Sequence, residues 1–290
     1  MVPENPEYSI IVPVHNEEPA IGDFLDRLLE AVKGKNAEVI VVDDGSTDQT
    51  PTVLSIYQGE EDLRVFSHER NQGYGSALKT GLRQARAEKV AIIDGDGSYP
   101  PEKMPALLSR SPDAEMVVGA RKGGLGKEPV LRTALKWMIG KLARWLSGFE
   151  IKDLNSGLRV FRKSVALKYL SLLPEGFSFT STLTLIFLSD GFRVDYLEID
   201  YQPRRGKSKF RLIELHSLSL LLLRTLLYFN PLKFFVPLSL LLFLLAISVA
   251  AVSIFSLHKF MDVTTVVLII ASIQTFILGL LADLILRLKK

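Results

Sequence analysis

The chain of 290 residues contains no cysteine. Disulfides, thiolate metal sites and a cysteine nucleophile are therefore excluded, and any metal must be held by oxygen or imidazole ligands. Net charge is scarce as well: 35 basic residues against 32 acidic ones leave +3. That is too little for a broad basic face, so no nucleic-acid partner is expected. Charge of either sign nearly vanishes toward the carboxyl end, where only Lys259, Asp262, Asp283, Arg287, Lys289 and Lys290 follow Lys233. A water-facing portion is thus followed by one too apolar for an ordinary solvated domain. Met1 to Glu7 lacks the basic-then-apolar order of a leader, so no cleaved signal peptide is expected. Two phosphate-binding signatures are also missing. Gly73-Tyr74-Gly75-Ser76-Ala77-Leu78 lacks the last small residue of the dinucleotide fingerprint, and no Gly-x-x-x-x-Gly-Lys-Ser loop occurs. A nicotinamide cofactor and hydrolysis of nucleoside triphosphates are both disfavoured.

Phe234 to Leu257 carries no charge, and Val263 to Leu286 carries only Asp283. As helices, each would run about 36 Å, beyond the ~30 Å hydrocarbon core, which predicts two membrane spans. Pro237 is expected in the first turn of the first span, where its missing N–H costs little. Lys233 precedes the pair and Arg287, Lys289 and Lys290 close it, whereas the connector from Leu257 to Asp262 has one lysine. By the positive-inside rule both ends, and the globular portion, face the cytoplasm. Leu212 to Phe229 is leucine-rich but interrupted by Glu214, His216, Arg224 and Tyr228, a mixture suited to helices lying in the headgroup layer. With no second histidine one turn away, His216 reads as a polar residue at the interface, not a metal ligand.

In the globular part, apolar runs at Tyr8–Val12, Val39–Val42, Leu63–Phe66, Val90–Ile93 and Met116–Val118 alternate with helical spacing, as at Leu25, Leu28, Leu29 and Val32 and at Ala77, Leu78, Leu82 and Ala85. Such alternation predicts an α/β fold with a mostly parallel sheet and a ligand crevice beyond the carboxyl ends of its strands. Polar clusters stand at those ends: His15-Asn16-Glu17-Glu18, Asp43-Asp44-Gly45-Ser46 and Asp94-Gly95-Asp96-Gly97-Ser98. Arg121 to Glu128, rich in glycine, is expected to be a mobile loop.

Asp94 and Asp96 suit a hard cation such as Mg²⁺ or Mn²⁺, which binds few protein carboxylates and leaves its other positions to water and phosphate oxygens. The same string also makes an ordinary Asp-Gly turn. Ser46, Thr47 or Asp48 can cap a helix from Gln49 to Ile56, but capping leaves Asp43 and Asp44 unexplained. An aspartate there can accept a nucleobase N–H. Asn71, Gly73, Gly75 and Ser76 precede a helix whose first amides could face an anion. Arg121, Arg132 at the start of a helix over Leu131–Ser147, and Arg204, Arg205, Lys207 and Lys209 could grip phosphate. Lys207 and Lys209 serve equally as contacts to anionic lipid. Trp137 and Trp145 on the same helix either dip into the membrane interface or join the core.

Taken together, these strings resemble glycosyltransferase family 2, in the branch similar to dolichol-phosphate mannose synthase and bacterial polyprenyl-phosphate glycosyltransferases. The resemblance rests on Ile11-Val12-Pro13-Val14-His15-Asn16-Glu17-Glu18, Val41-Val42-Asp43-Asp44-Gly45-Ser46-Thr47-Asp48, Asn71-Gln72-Gly73-Tyr74-Gly75, Asp94-Gly95-Asp96, Asp153-Leu154-Asn155-Ser156-Gly157-Leu158-Arg159 and Arg204-Arg205-Gly206-Lys207-Ser208-Lys209, in family order and followed by two spans. It implies a GT-A domain over residues 1–210, interfacial helices over 211–232 and a transmembrane hairpin over 233–290. It also implies inverting, metal-dependent transfer of one sugar from a GDP- or UDP-sugar to a polyprenyl phosphate. By position in the family pattern, Pro13, Val14, Asn16, Glu17, Asp43, Asp44, Gly73 and Asp94 would bind the nucleotide, and Asp94 and Asp96 the Mg²⁺ or Mn²⁺. The acceptor would meet Arg121, Arg132, Ser156, Arg204, Arg205, Ser208 and Lys209. Asp153, in the acceptor-side string, joins Asp94, Asp96, Arg121 and Arg132 as catalytic, and would be the general base if the acceptor were instead a glycolipid or protein hydroxyl. A non-catalytic, membrane-anchored binder of nucleotide sugars is the alternative from another class. Ser98 stands where the mannose synthases usually carry glutamine, which weakens the case for a GDP-mannose donor. The glutamine-x-x-arginine-tryptophan string of processive synthases is missing, so no polymer is expected. Partners are then the nucleotide sugar, the polyprenyl phosphate and membrane lipid, with self-association left open.

Overall fold

The computed structural model describes residues 5–122, 151–201, 231–255 and 263–289, which fall into two compact units. In the first, seven strands form one sheet: β1 (Tyr8–Val14), β2 (Ala37–Asp43), β3 (Leu63–Ser67), β4 (Lys89–Ile92), β5 (Met116–Arg121), β6 (Arg159–Arg162) and β7 (Val194–Ile199), in the order β3-β2-β1-β4-β6-β5-β7. Helices α1 (Glu18–Val32), α2 (Thr50–Ile56), α3 (Tyr74–Gln84), α4 (Met104–Arg110), α5 (Lys163–Lys168) and α6 (Phe179–Ser189) connect or flank them. Neighbouring strands are parallel except that β6 runs antiparallel to both β4 and β5. This is a GT-A fold.

β1 and β2 are buried along their whole length, which is why both carry apolar runs, Ile10–Val14 and Val39–Val42, with the buried Ser9 and Glu38 bonded to each other just before them. Above them, α1 buries Ala20, Ile21, Phe24, Leu25, Leu28 and Val32, the stripe its 3.6-residue period predicts. Leu29 lies at the margin of that stripe, partly buried. α3 comes close to β1 at Gly81, where a Cβ would stand 2.4 Å from Ile11 Cγ2. From β1 the chain winds outward through β2 to β3, then returns to β4 on the other flank of β1. The strand order therefore reverses between β1 and β4, and a crevice opens at their carboxyl ends.

Three expectations need correction here. β5 continues to Arg121 because β7 pairs with it through Arg121↔Ile199, so Arg121 ends a strand, while residues 123–128 of the loop expected to be mobile lie outside the described residues. β6 and β7 have no counterpart in the apolar runs read from the sequence. The cap position of α2 is Gln49, and the Asp48 carboxylate accepts the Thr50 amide at 2.9 Å.

The second unit is a pair of helices, α7 (Pro231–Phe255) and α8 (Val263–Lys289), each long and apolar enough to cross a membrane. α7 starts three residues earlier than the uncharged stretch, so Pro237 lies inside the helix, beyond the first turn. There it cannot donate to the carbonyl four residues back. The helices run antiparallel: Ser272 Oγ donates to the Ser239 carbonyl at 2.9 Å, and Gly279 abuts Phe235. The buried positions are small and seven apart, Ser239, Ala246 and Ser253 facing Thr265, Ser272 and Gly279. A seven-residue repeat of small side chains lets two helices approach closely along one seam. Leu241, Phe243, Val267 and Ile285 point outward. The interfacial segment proposed for 211–232, with His216, lies outside the described residues up to 230.

Candidate active site

The site begins where β1 and β2 end. Asn16 adopts a left-handed backbone, φ 56°, which asparagine tolerates better than most residues. In that pose its amide donates to Ser46 Oγ at 2.9 Å and its Oδ1 accepts the Thr47 amide at 2.7 Å. The two loops are thereby stapled together. Asp43 is buried and accepts both the amide and the hydroxyl of Ser46. The Glu17 side chain is buried at the same edge, and its amide donates to Thr50 Oγ1. Pro13 and Val14 are buried within β1. Val14 packs beneath the Asp94–Asp96 turn, its Cγ2 3.1 Å from where a Gly95 Cβ would stand. Their side chains support the crevice floor and leave little to face a nucleoside.

Asp44 turns inward. Its Oδ1 accepts His68 Nδ1–H at 2.7 Å and the Gln72 amide at 2.9 Å, while Oδ2 accepts the Gly73 amide at 2.8 Å. The amides at the start of α3, expected to face an external anion, thus serve this aspartate and the Glu175 carbonyl, to which Gly75 donates at 2.7 Å. Gly73 stands at φ 103°, and a Cβ there would meet the Glu175 oxygen at 2.6 Å. An unpaired amide at a helix start is costly to bury, and a neighbouring carboxylate removes that cost.

At the end of β4, Asp94 Oδ1 accepts the Tyr74 hydroxyl at 2.7 Å. Burial and the Asp94 charge both push the Tyr74 phenol well up, so it stays a donor. On the other side the Gly157 backbone presses on Asp94: a Cβ there would stand 2.0 Å from Oδ2. Gly157 in turn donates its amide to the buried Tyr99 hydroxyl at 2.8 Å. Burial, aided by the Asp94 charge, raises the Tyr99 phenol too. Asp96 Oδ1 accepts the Ser98 amide at 3.0 Å and the buried Ser98 hydroxyl at 2.5 Å. Ser98 therefore braces the second aspartate directly. Among the described residues, no cluster of three histidine, aspartate or glutamate side chains could hold an ion by itself. Two carboxylates closing one strand fit Mg²⁺ or Mn²⁺, which takes its remaining oxygens from water and phosphate.

Arg121 and Asp153 form a fork: Nε to Oδ2 at 2.7 Å and Nη2 to Oδ1 at 2.9 Å, with the Arg121 amide also on Oδ2. The guanidinium lies over the Tyr201 ring, 5.2 Å from its centroid. Burial opposes the Arg121 charge, but the bond to Asp153 outweighs it and pushes the group further up. Arg121 thus reaches the crevice already paired. Ser156 is fully buried and donates to the Gly119 carbonyl at 2.6 Å, so it joins β5 to the approach of β6 and does not project outward. Arg159 is fully buried and held by carbonyl and hydroxyl oxygens: Ser156 at Nε and Nη2, Thr180 and Thr184 at Nη1. Burial lowers its proton affinity, and the charges of Asp153 and Asp94 act against that. Arg132, Trp137, Trp145, Arg204, Arg205, Lys207, Ser208 and Lys209 lie outside the described residues.

Tyr74, Tyr99, Arg159 and Phe177, whose ring stacks on that of Tyr74, are absent from the residues singled out in the sequence. Tyr74 and Arg159 sit inside strings that were singled out, and a charged residue opening an apolar strand is the signal that would have marked Arg159.

Residues 9–170 match the family described as glycosyl transferase family 2, and residues 230–288 match the one described as GtrB C-terminal hairpin. An undecaprenyl-phosphate 4-deoxy-4-formamido-L-arabinose transferase of Shewanella sediminis is 30% identical over 217 residues. That match covers 72% of this chain and 63% of the transferase, so the chain spans less than two thirds of that relative. A dodecaprenyl-phosphate galacturonate synthase of Rhizobium johnstonii is 29% identical, with 97% of this chain and 88% of that protein covered. Among solved structures, glucosyl-3-phosphoglycerate synthase of Mycobacterium tuberculosis, in complex with Mn²⁺, UDP-glucose and phosphoglyceric acid, superposes with a TM-score of 0.59 at 22% identity. The superposition covers 77% of this chain and 79% of that one.

Proposed function

The chain belongs to glycosyl transferase family 2, and on that premise we propose that it transfers one sugar from a nucleotide-sugar donor to the phosphate of a membrane polyprenol, with inversion. The observation that carries this reading is the meeting of Asp43–Asp44 and Asp94–Asp96 around the start of α3, at the reversal of strand order. One acidic loop suits the nucleoside end of the donor and the other its diphosphate. Two apolar helices and the polyprenyl-phosphate names of the relatives support a lipid acceptor. The lysines and arginines flanking the hairpin support a cytoplasmic sheet domain.

In this reading Asn16, Glu17, Asp43 and the Asp44-held loop shape the nucleoside end, with Pro13 and Val14 as its floor. Asp94 and Asp96 would hold Mg²⁺ or Mn²⁺, which when bound neutralises charge on the departing diphosphate. Tyr74 and Ser98 hold those two carboxylates in orientation by donating to them. The acceptor phosphate carries most of its negative charge at neutral pH, so positioning matters more than proton removal. Arg121 supplies a guanidinium at the crevice edge. Arg132, Arg204, Arg205, Ser208 and Lys209 would complete the acceptor side. A hydroxyl acceptor would need Asp153 as base, yet both its oxygens already accept Arg121 N–H groups, which favours the phosphate.

The test uses purified protein with a panel of nucleotide sugars, polyprenyl phosphate and Mg²⁺ or Mn²⁺, the lipid product being identified by mass. A polyprenyl-phosphate monosaccharide is the expected product. Glycosylation of neutral glycolipids only, or donor binding without turnover on any acceptor, would refute the proposal.

A further inference from the structure

The two acidic loops are not independent of each other. Asp44 holds the Gln72 and Gly73 amides, and the next residue, Tyr74, opens α3 and donates to Asp94. That turn has no room to slide. A Gly73 Cβ would meet the Glu175 oxygen at 2.6 Å and a Gly75 Cβ the Pro174 oxygen at 2.1 Å, while the Tyr74 ring stacks on Phe177 at 5.6 Å and 19°. Thr80, one helical stretch further along, meets His68 Nε2 at 2.9 Å and so backs the Asp44 grip from behind. Asp94 is thus walled by Gly157 on one side and reached by a hydroxyl of fixed origin on the other.

We infer that Tyr74 is a positioning residue: it sets the Asp94 carboxylate for the cation and diphosphate, and it couples that carboxylate to Asp44 through a single three-residue turn. The inference rests on the donor side of the proposed function and adds a residue to it. Because the turn is fixed, the position of Asp94 relative to Asp44 is fixed with it.

The experiment measures Mn²⁺ binding to the full chain in detergent with UDP or GDP present, read from the loss of the free-ion paramagnetic resonance signal. Tyr74→Phe retains the ring on Phe177 and removes the hydroxyl alone. Its Mn²⁺ affinity should fall about ten- to a hundredfold, the range for losing a hydrogen bond to a charged group. para-Aminophenylalanine introduced at position 74 restores a donor at the same place and should bring the affinity back to within about threefold of wild type. This second variant decides the matter even where Tyr74→Phe melts early. Equal affinity in Tyr74→Phe and wild type, or no recovery with the amino analogue, overturns the inference and leaves the proposed function standing. A wild-type protein that binds no Mn²⁺ with either nucleotide overturns both.

Discussion

Gly157→Ala is the sharpest test of the crevice, because the new methyl group would stand 2.0 Å from Asp94 Oδ2, 2.4 Å from its Cγ and 2.6 Å from its Oδ1. Restoring an ordinary contact of 3.4 Å requires a movement of about 1.4 Å. Either side of the contact could yield. The Gly157 backbone is fixed by its amide on Tyr99 and by Ser156, whose carbonyl binds the buried Arg159. The Asp94 side chain is the more flexible partner, so it swings aside and loses the Tyr74 hydroxyl. Misplacing a catalytic group by about 1 Å costs on the order of a hundredfold. We therefore expect sugar transfer to fall by about two orders of magnitude with nucleotide-dependent Mn²⁺ binding weakened in parallel, while the melting temperature changes little. Gly176→Ala is the matched control, because a Cβ there meets nothing within 4 Å. Transfer by Gly157→Ala within about fivefold of the control would refute the reasoning that this contact fixes Asp94 in the position the chemistry needs.

Replacing Arg121 with lysine removes the fork on Asp153 and should raise the acceptor KM by about tenfold while the donor KM stays level. Equal shifts in both constants would separate Arg121 from the acceptor. Glu38 is fully buried and accepts Ser9 Oγ at 2.6 Å, the Arg86 amide at 2.8 Å and Arg64 Nη2. Glu38→Gln removes the carboxylate facing Arg64, which keeps the Gln84 carbonyl at 2.7 Å, and should destabilise the α/β unit by about 2 kcal/mol, measured by denaturant unfolding with the site residues untouched. In the hairpin, Gly279→Leu cannot keep the present approach to Phe235, 2.6 Å from a Cβ, and should lower the thermal stability of the helix pair in detergent; Ser272→Ala, losing one bond, should cost only about 0.6 kcal/mol. Chelation should abolish transfer, and added Mn²⁺ or Mg²⁺ should restore it.

What could be read from the sequence tracks how local each cause is. β1 and β2 are covered on both faces, so burial writes itself as the apolar runs Ile10–Val14 and Val39–Val42, and the polar strings at their ends follow directly. β6 escapes because it is four residues long with arginine at each end, and Arg159 is buried only through oxygens supplied by α6 and its own approach loop. β7 is an edge strand whose apolar residues are interrupted by Asp195 and Glu198, so it shows no apolar run, and its pairing is what carries β5 on to Arg121. Asp44 was legible as a site residue but its direction was not. The amides that claim it lie 28 and 29 residues further along the chain, and no local pattern announces them. The pairing of Arg121 with Asp153 spans 32 residues and is hidden for the same reason.

The antiparallel strand β6 has an architectural consequence. Because Val118 stands opposite Arg159 and Ser156 bonds to Gly119, the chain departs from β5 and comes back to β6 at nearly the same point on the crevice rim. Arg121 and Asp153 close that doorway with an ionic latch. Both strand ends are thus tied to each other directly, through the ion pair and through the Ser156 hydroxyl on the Gly119 carbonyl. A change at Arg121 or Asp153 therefore loosens two strand ends at once, and the seam between β5 and β6 yields together with the rim it frames.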